Sequence, residues 1–327
     1  MSSPVFARLD ARPSGRALRR MTALRRFVNG DRIAYGLVFT CSAAIVALVA
    51  LLVYELWINS SLSRQKFGWD FLVTTTWDPV AGQFGALPFI YGTVVTSTLA
   101  LLLAVPLGVG AAIFLAELAP PRLSDAMTFL VELLAAVPSV IIGLIGIFVL
   151  VPALQKIVPL LQAVFGFLPI FSGTFYGVSI LSAGVVLSVM IVPFIISISR
   201  EVLLAVPREL REAALALGAT KWESTWQVVI PFARSGIIGS IFLALARALG
   251  ETMAVTMVIG NSPKIEASLL APGYSIAAVI ANEFTEATGD LYLNALIELG
   301  LVLFALTMVI NGAARLLILM TTARGSR

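Results

Sequence analysis

The sequence predicts an all-α polytopic membrane protein with six membrane-spanning helices. Three observations carry that prediction. Of 327 residues, 59% are hydrophobic and only 12% are charged, against roughly 25% charged in soluble domains. Six apolar runs are each long enough to cross a bilayer, which takes about 20 residues. The alternating segments of about ten residues that a membrane β-barrel requires are absent, and helices alone satisfy their own backbone in lipid.

The spans follow in order. The first, Ile33–Trp57, comes after an Arg-rich tail over residues 1–30 that is expected to be disordered. It is too long for a signal core and ends in Trp57-Ile58-Asn59, with no small-residue cleavage site. An outer loop over 59–88 contains "TTWDPVAGQFGALP"; Asp78-Pro79 and the glycines mark turns, and Trp57, Trp69 and Trp77 suit an interface. The second and third spans are Phe89–Glu117 and Phe129–Leu154. Pro138 and Gly143 read either as a bend or close contact in the third, or as ordinary membrane-helix usage.

The stretch "KIVPLLQAVFGFLPIFSGTFYG" over 156–177 is also apolar. Pro159, Pro169, Gly166 and Gly173 argue against a continuous helix there, so it reads as an interfacial or re-entrant segment on the outer face. The fourth span is Val178–Ser199, the fifth Gly236–Gly260 and the sixth Leu291–Leu319. The spanning domain thus covers 31–322, with a cytoplasmic C-terminus at 323–327.

Positive charge orients the chain. Seventeen of the 22 Lys and Arg fall in the tail, after span two, between spans four and five, or at the C-terminal end. Four (Arg64, Lys66, Lys156 and Lys264) fall on the other side, and Arg247 is intramembrane. That bias puts both termini and the 200–234 segment in the cytoplasm. The tail suits anionic lipid, and no nucleic-acid partner is expected.

Several chemistries are excluded. There is no histidine, the commonest general base and metal ligand. The single Cys41 reads as a small buried apolar residue. No G-x-x-x-x-G-K-[ST] occurs, because the four lysines follow Gln65, Gln155, Thr220 and Pro263. The chain therefore carries no Walker-type nucleotide site. No catalytic residue, metal ligand or cofactor is expected.

The cytoplasmic segment "VPRELREAALALGATKWESTWQVVIP" over 206–231 reads as two short helices. Pro207 suits a helix start and Gly218 a helix stop. Leu210, Ala213, Ala214 and Leu217 form an apolar stripe. Thr220 and Glu223 match a capping box opening the second helix, which carries Trp222 and Trp226. Two readings stay open: helices lying on the membrane surface, or a rigid knob for a cytoplasmic partner.

The pattern Glu212-Ala213-Ala214, then Gly218, then Val228-x-Ile230-Pro231 resembles the EAA loop of ABC importer permeases, E-A-A-x3-G-x9-I-x-L-P. Val228 and Ile230 are mild departures. With "TTWDPVAGQFGALPFIYGT", "LAELAP", "AAVPSVIIGLIG" and "ALARALGETMAVTMVIGN", the resemblance covers most of residues 70 to 320. It is to the PstC-type permease family of phosphate importers, whose fold is the MetI-like ABC importer permease fold. The resemblance implies ATPase coupling through Glu212, Ala213, Ala214, Gly218 and Pro231. It implies a heterodimer with a PstA-like second permease subunit, two copies of a cytoplasmic ATPase, and an external phosphate-binding protein delivering inorganic phosphate. It also implies the inner membrane of a bacterial cell. The PstA position, a permease for another oxyanion such as sulfate or molybdate, and a stand-alone transporter or channel remain as rivals.

Within "ARALGETMA", Arg247 and Glu251 sit four apart, near mid-bilayer if the membrane begins at Gly236: eleven residues at 1.5 Å each is about 17 Å. Each charge costs about 2.5–3.5 kcal/mol there on insertion scales. On a continuous helix the two share a face and offset one another. They read either as a buried staple between spans, or as the substrate pathway together with Thr252. In the second reading Arg247 meets the anion with its two-pronged guanidinium and Glu251 tempers its field.

Overall fold

A computed structural model describes residues 15–324, with side chains over 30–316; residues 1–14 of the basic tail and 325–327 lie outside it. Among the described residues there is no strand, only two isolated bridges, Asp78 with Gln83 and Gly260 with Gly273. Six helices are long and apolar enough to cross a membrane. The chain divides into two units, residues 1–55 and 56–327, which are taken separately.

The first unit consists of most of α1, Gly15–Asn59. The backbone is helical from Gly15, inside the segment expected to be disordered. Ala17, Leu18, Met21, Ala23 and Leu24 are strong helix formers and no proline follows Pro13 to stop them. Cys41, expected to be buried, is exposed, an ordinary place for a thiol on a helix apolar all round.

The second unit continues with α2 (Ser61–Phe67), α3 (Asp70–Val73) and α4 (Leu87–Ile113). Then come α5 (Pro121–Ala135), α6 (Ser139–Ile145), α7 (Val151–Phe165) and α8 (Ile180–Leu204). The remaining helices are α9 (Arg208–Ala216), α10 (Lys221–Ser224), α11 (Ile230–Leu249), α12 (Met253–Thr256), α13 (Ile276–Glu283) and α14 (Asp290–Arg324).

The third span is displaced from its expected position. It runs Ser139–Phe165 rather than Phe129–Leu154. Pro138, with extended backbone (φ −57°, ψ 138°), separates α5 from α6, because a proline disfavours helical geometry in the residue before it. Pro159, by contrast, is accommodated inside α7, as membrane helices tolerate. Residues 156–165 therefore finish the span. Only 166–177 form an outer surface segment, tied down by Gln162 Nε2 donating to the Phe171 and Gly173 carbonyls and by Ser268 Oγ donating to the Ser172 carbonyl.

Within the second unit α4, α6 and α11 pack around α8, whose apolar residues Ala183, Val186, Leu187 and Ile191 are fully buried. They meet Ala100 and Ala104 of α4, Ala244 and Ala248 of α11, and Val255 and Val258 around α12. Gly236 is the close approach between α8 and α11: a β-carbon there would stand 2.4 Å from Val202. Further along, the buried hydroxyls of Ser199 and Ser240 are 2.7 Å apart.

An aromatic cluster closes the end of the second unit opposite α9 and α10. The Trp77 ring centroid is 4.8 Å from those of both Phe84 and Phe89, so Trp77 is packed rather than presented to lipid, whereas Trp69 is 85% exposed. Glu283 accepts from Trp77 Nε1 at 2.9 Å and from the Tyr292 hydroxyl at 2.6 Å. Tyr274 joins the cluster, and burial pushes its hydroxyl up to about 12. The backbone of Tyr274 presses on α4 where a β-carbon at Gly92 would stand 2.1 Å from its carbonyl oxygen, so glycine is required there.

Candidate functional site

The candidate site is one continuous segment, from α9 and α10 through α11 to its break. Thr220 caps α10 as its pattern predicts: its side chain accepts from the Glu223 N–H at 3.2 Å, and Glu223 accepts from the Thr220 N–H at 2.8 Å. These bonds hold the Glu223 carboxyl below the usual carboxylate range, since they favour the charged form. Gly218 follows α9 with φ +90°, a left-handed conformation that favours glycine.

Glu212 and Ala213 of α9 are exposed and Ala214 is half-buried. The expected apolar stripe is only partly inward: Leu210 packs against the core, while Leu217 is 90% exposed. On the neighbouring turn the rings of Trp222 and Trp226 stack at 5.9 Å and are both exposed. Pro231 sits in the first turn of α11 after a widened turn in which Ile230 N–H donates to the Thr225 carbonyl. The widened turn accommodates a proline that cannot donate.

Ser199 with Ser240, Val202 with Gly236 and Phe194 with Arg247 set α11 antiparallel to α8. Gly236 thus lies level with the inner end of α8. Phe194 is the fifteenth of its 25 residues, so Arg247, beside it, is level with the middle of α8, although the fifth span runs Lys221–Leu249 rather than Gly236–Gly260 and ends just past Arg247. The helix then stops. Leu249 is its last residue and Gly250 its cap. Glu251 and Thr252 are outside helical structure, and α12 restarts at Met253.

This corrects the expectation that Arg247 and Glu251 share one helix face. Among the described residues no ion pair joins them. Arg247 is exposed on this chain, with its Cζ 5.8 Å from the centre of the Phe194 ring, within cation–π range. Glu251 instead accepts from the Ala254 N–H at 3.4 Å, and Thr252 donates its hydroxyl to the Gly250 carbonyl at 3.3 Å. Non-helical backbone at membrane depth is tolerated only inside protein or along a water-filled cavity.

Two interactions were not anticipated from the sequence. Arg211 of α9 binds Glu117 at the inner end of span two, 94 residues away. Phe194 faces Arg247 across the α8–α11 contact. Neither has a local signature. Glu298 is buried on α14, with Ser63 and Arg64 of α2 as its polar neighbours. No group of three His, Cys, Asp or Glu suited to a metal occurs among the described residues.

Comparison with known proteins adds to this geometry. Residues 104–318 match the family described as "Binding-protein-dependent transport system inner membrane component". The chain is 48% identical to the phosphate transport system permease protein PstC of Mesorhizobium japonicum, over 96% of this chain and 98% of that one. It is 45% identical to the protein of the same name in Xylella fastidiosa, over 98% of both. Its fold resembles an inward-facing MetNI methionine ABC transporter (TM-score 0.52, 17% identity, 72% of this chain, 96% of that one). It also resembles a bacterial ABC transporter importing the polysaccharide alginate (TM-score 0.52, 16% identity, 90% of this chain, 98% of that one).

Proposed function

The chain belongs to the family of binding-protein-dependent transport system inner membrane components, and from that premise we propose that it is a permease subunit of an ATP-driven inorganic phosphate importer. It forms half of the translocation pathway and performs no bond chemistry. The carrying observation is the helix break after Leu249, with Arg247 exposed on the last turn of α11 beside it. The 44–49% identity to phosphate permeases supports phosphate as the anion.

Arg247 meets the phosphate with parallel hydrogen bonds from its planar fork. The Phe194 face holds the guanidinium without consuming its N–H donors. Glu251 and Thr252 keep the chain turned at the break, so the arginine has no fixed carboxylate partner to displace. Binding stays weak enough for release, as a pathway site requires.

The chain carries no Walker motif, so another chain supplies the energy. Of two copies of a cytoplasmic ATPase, one docks on α9 and α10 through Glu212, Ala213, Ala214 and Gly218, and α11 carries the movement from Pro231 toward Arg247. A PstA-like subunit completes the pathway and an external phosphate-binding protein delivers the anion. Both termini are cytoplasmic, and residues 31–322 form the permease domain. The same architecture in the PstA position, or serving sulfate or molybdate, is the alternative.

The test is uptake of labelled phosphate by the purified complex in liposomes. Arg247→Gln is expected to abolish uptake while the complex stays assembled. Uptake by that variant at the wild-type rate would sink the pathway role, and wild-type uptake of sulfate in preference to phosphate would reassign the cargo.

A further inference from the structure

Arg211 is held on three sides. Its Nε donates to both carboxylate oxygens of Glu117 at 3.2 Å, and Nη2 donates to Glu117 Oε1 at 2.7 Å. Nη2 also donates to the Leu203 carbonyl at 2.7 Å and Nη1 to the Val206 carbonyl. Those carbonyls lie at the C-terminal end of α8, where the helix dipole favours a cation. The side chains of Arg211 and Glu117 are only 19% and 10% exposed. A shielded, forked pair of this kind differs from the solvent-exposed ion pairs that contribute little.

Glu117 is aimed by the way span two ends. Beyond α4 the chain makes a widened turn, with the Ala119 N–H donating to the Phe114 carbonyl at 2.8 Å, and then meets Pro120 and Pro121. The elbow into α5 is braced. Ser124 Oγ donates to the Leu115 carbonyl at 2.8 Å, and Arg200 of α8 reaches Ser124 Oγ at 3.3 Å and Asp125 at 3.9 Å. From this elbow α5 leads through the Pro138 break to α6. There a β-carbon at Gly143 would stand 3.1 Å from the Ala254 Cα and 2.7 Å from Met257 Sδ, just past Glu251.

We propose that Arg211 and Glu117 are positioning residues that fasten the coupling helix α9 to the α4–α5 elbow. A displacement of α9 is thereby delivered to α5 and α6 as well as, along the chain, to α11. The proposal rests on the coupling role of α9 given above. Its mechanical basis is simple. Residues 205–207 join α9 to α8, and Leu210 packs into the core beside Val206 while α9 rests on the 225–229 turn; the forked pair is what ties it to the elbow and opposes a roll about its own axis. With the pair intact, α9 and the elbow move as one body, and α6 presses on α12 at Gly143 while α11 pulls on it through the chain.

The test uses the assembled complex in nanodiscs with Cys41→Ser as background. Spin labels at Met127→Cys on α5 and Leu215→Cys on α9, both exposed positions, report the separation of the two helices. With the pair intact, the distance distribution is expected to be the same with and without ATP. With Glu117→Gln added, it broadens and shifts when ATP binds. In liposomes, Glu117→Gln and Arg211→Gln each lower phosphate moved per ATP hydrolysed at least fivefold, and the double variant is no worse than the poorer single. Glu117→Asp, which keeps the charge, stands in where Glu117→Gln fails to assemble. An unchanged distance distribution together with an unchanged transport-to-hydrolysis ratio in Glu117→Gln would overturn the proposal. The distance measurement responds to nucleotide and not to cargo, so it stands even if the transported anion proves not to be phosphate.

Discussion

Arg247 and Glu251 are four residues apart and do not pair: the helix ends between them, and the guanidinium of Arg247 stands 5.8 Å from the ring of Phe194. A carboxylate partner would satisfy the arginine permanently. An aromatic face attracts the positive charge while leaving the N–H edge available, which is the arrangement an anion pathway uses.

Phe194→Leu should therefore lower the initial rate of phosphate uptake with the complex intact. A cation–π contact is worth about 0.5–2 kcal/mol, so the loss is roughly two- to thirtyfold. Arg247→Lys keeps the charge but loses the fork, and should fall further. Proteoliposome uptake at matched protein content decides; an unaltered rate in Phe194→Leu would mean that the ring merely packs.

Gly143→Ala should impair transport more than assembly. The added carbon meets Met257 Sδ and the Ala254 backbone, and overpacking of this kind costs typically 1–3 kcal/mol. Met257 is a flexible side chain, so Gly143→Ala with Met257→Ala should recover part of the lost uptake. Equal uptake by the single and double variants would show that the α6–α12 contact does not govern transport.

The capping box gives a pH dependence. Glu223 has its carboxyl lowered by its bonds to Thr220, so its contribution to folding is complete above the unfolded carboxylate value, about 4.3. That contribution is lost as pH falls through the lower, folded value. Amide protection factors over residues 220–226 should hold from pH 7 to about 5 and decline below that. In Glu223→Gln this acid-dependent step should vanish. A Gln variant that loses protection over the same pH range would place the titration elsewhere.

Features carried by neighbouring residues were legible in the sequence. Thr220 and Glu223 are three apart and cap as their pattern dictates. Gly236 was read as the start of span five, but the apolar helical run extends from Lys221 to Leu249, because the widened turn before Pro231 carries the helix on rather than ending it. Pro138 was weighed as a bend and proves to be a full break. The Gly250 break had no comparable signal: Arg247, Ala248 and Leu249 favour helix, and glycine is common in membrane helices. Its cause lies in the packing of Ala254, Val255 and Val258 against α6 and α8. The Arg211–Glu117 pair spans 94 residues, so no local periodicity could announce it.

The breaks at Pro138 and Gly250 lie side by side. Both α6 and α12 run outward from them, and Gly143, five residues past one, touches Ala254, four past the other. The two form a fulcrum across the middle of the bundle. Above it, the Trp77 aromatic cluster and the hydrogen bonds joining 166–177 to 261–275 act as a stator. Below it, the 15-residue α5 and the 20-residue α11 are the two levers; under the proposed coupling, small strokes at α9 tilt the walls around Arg247 while the opposite rim stays still.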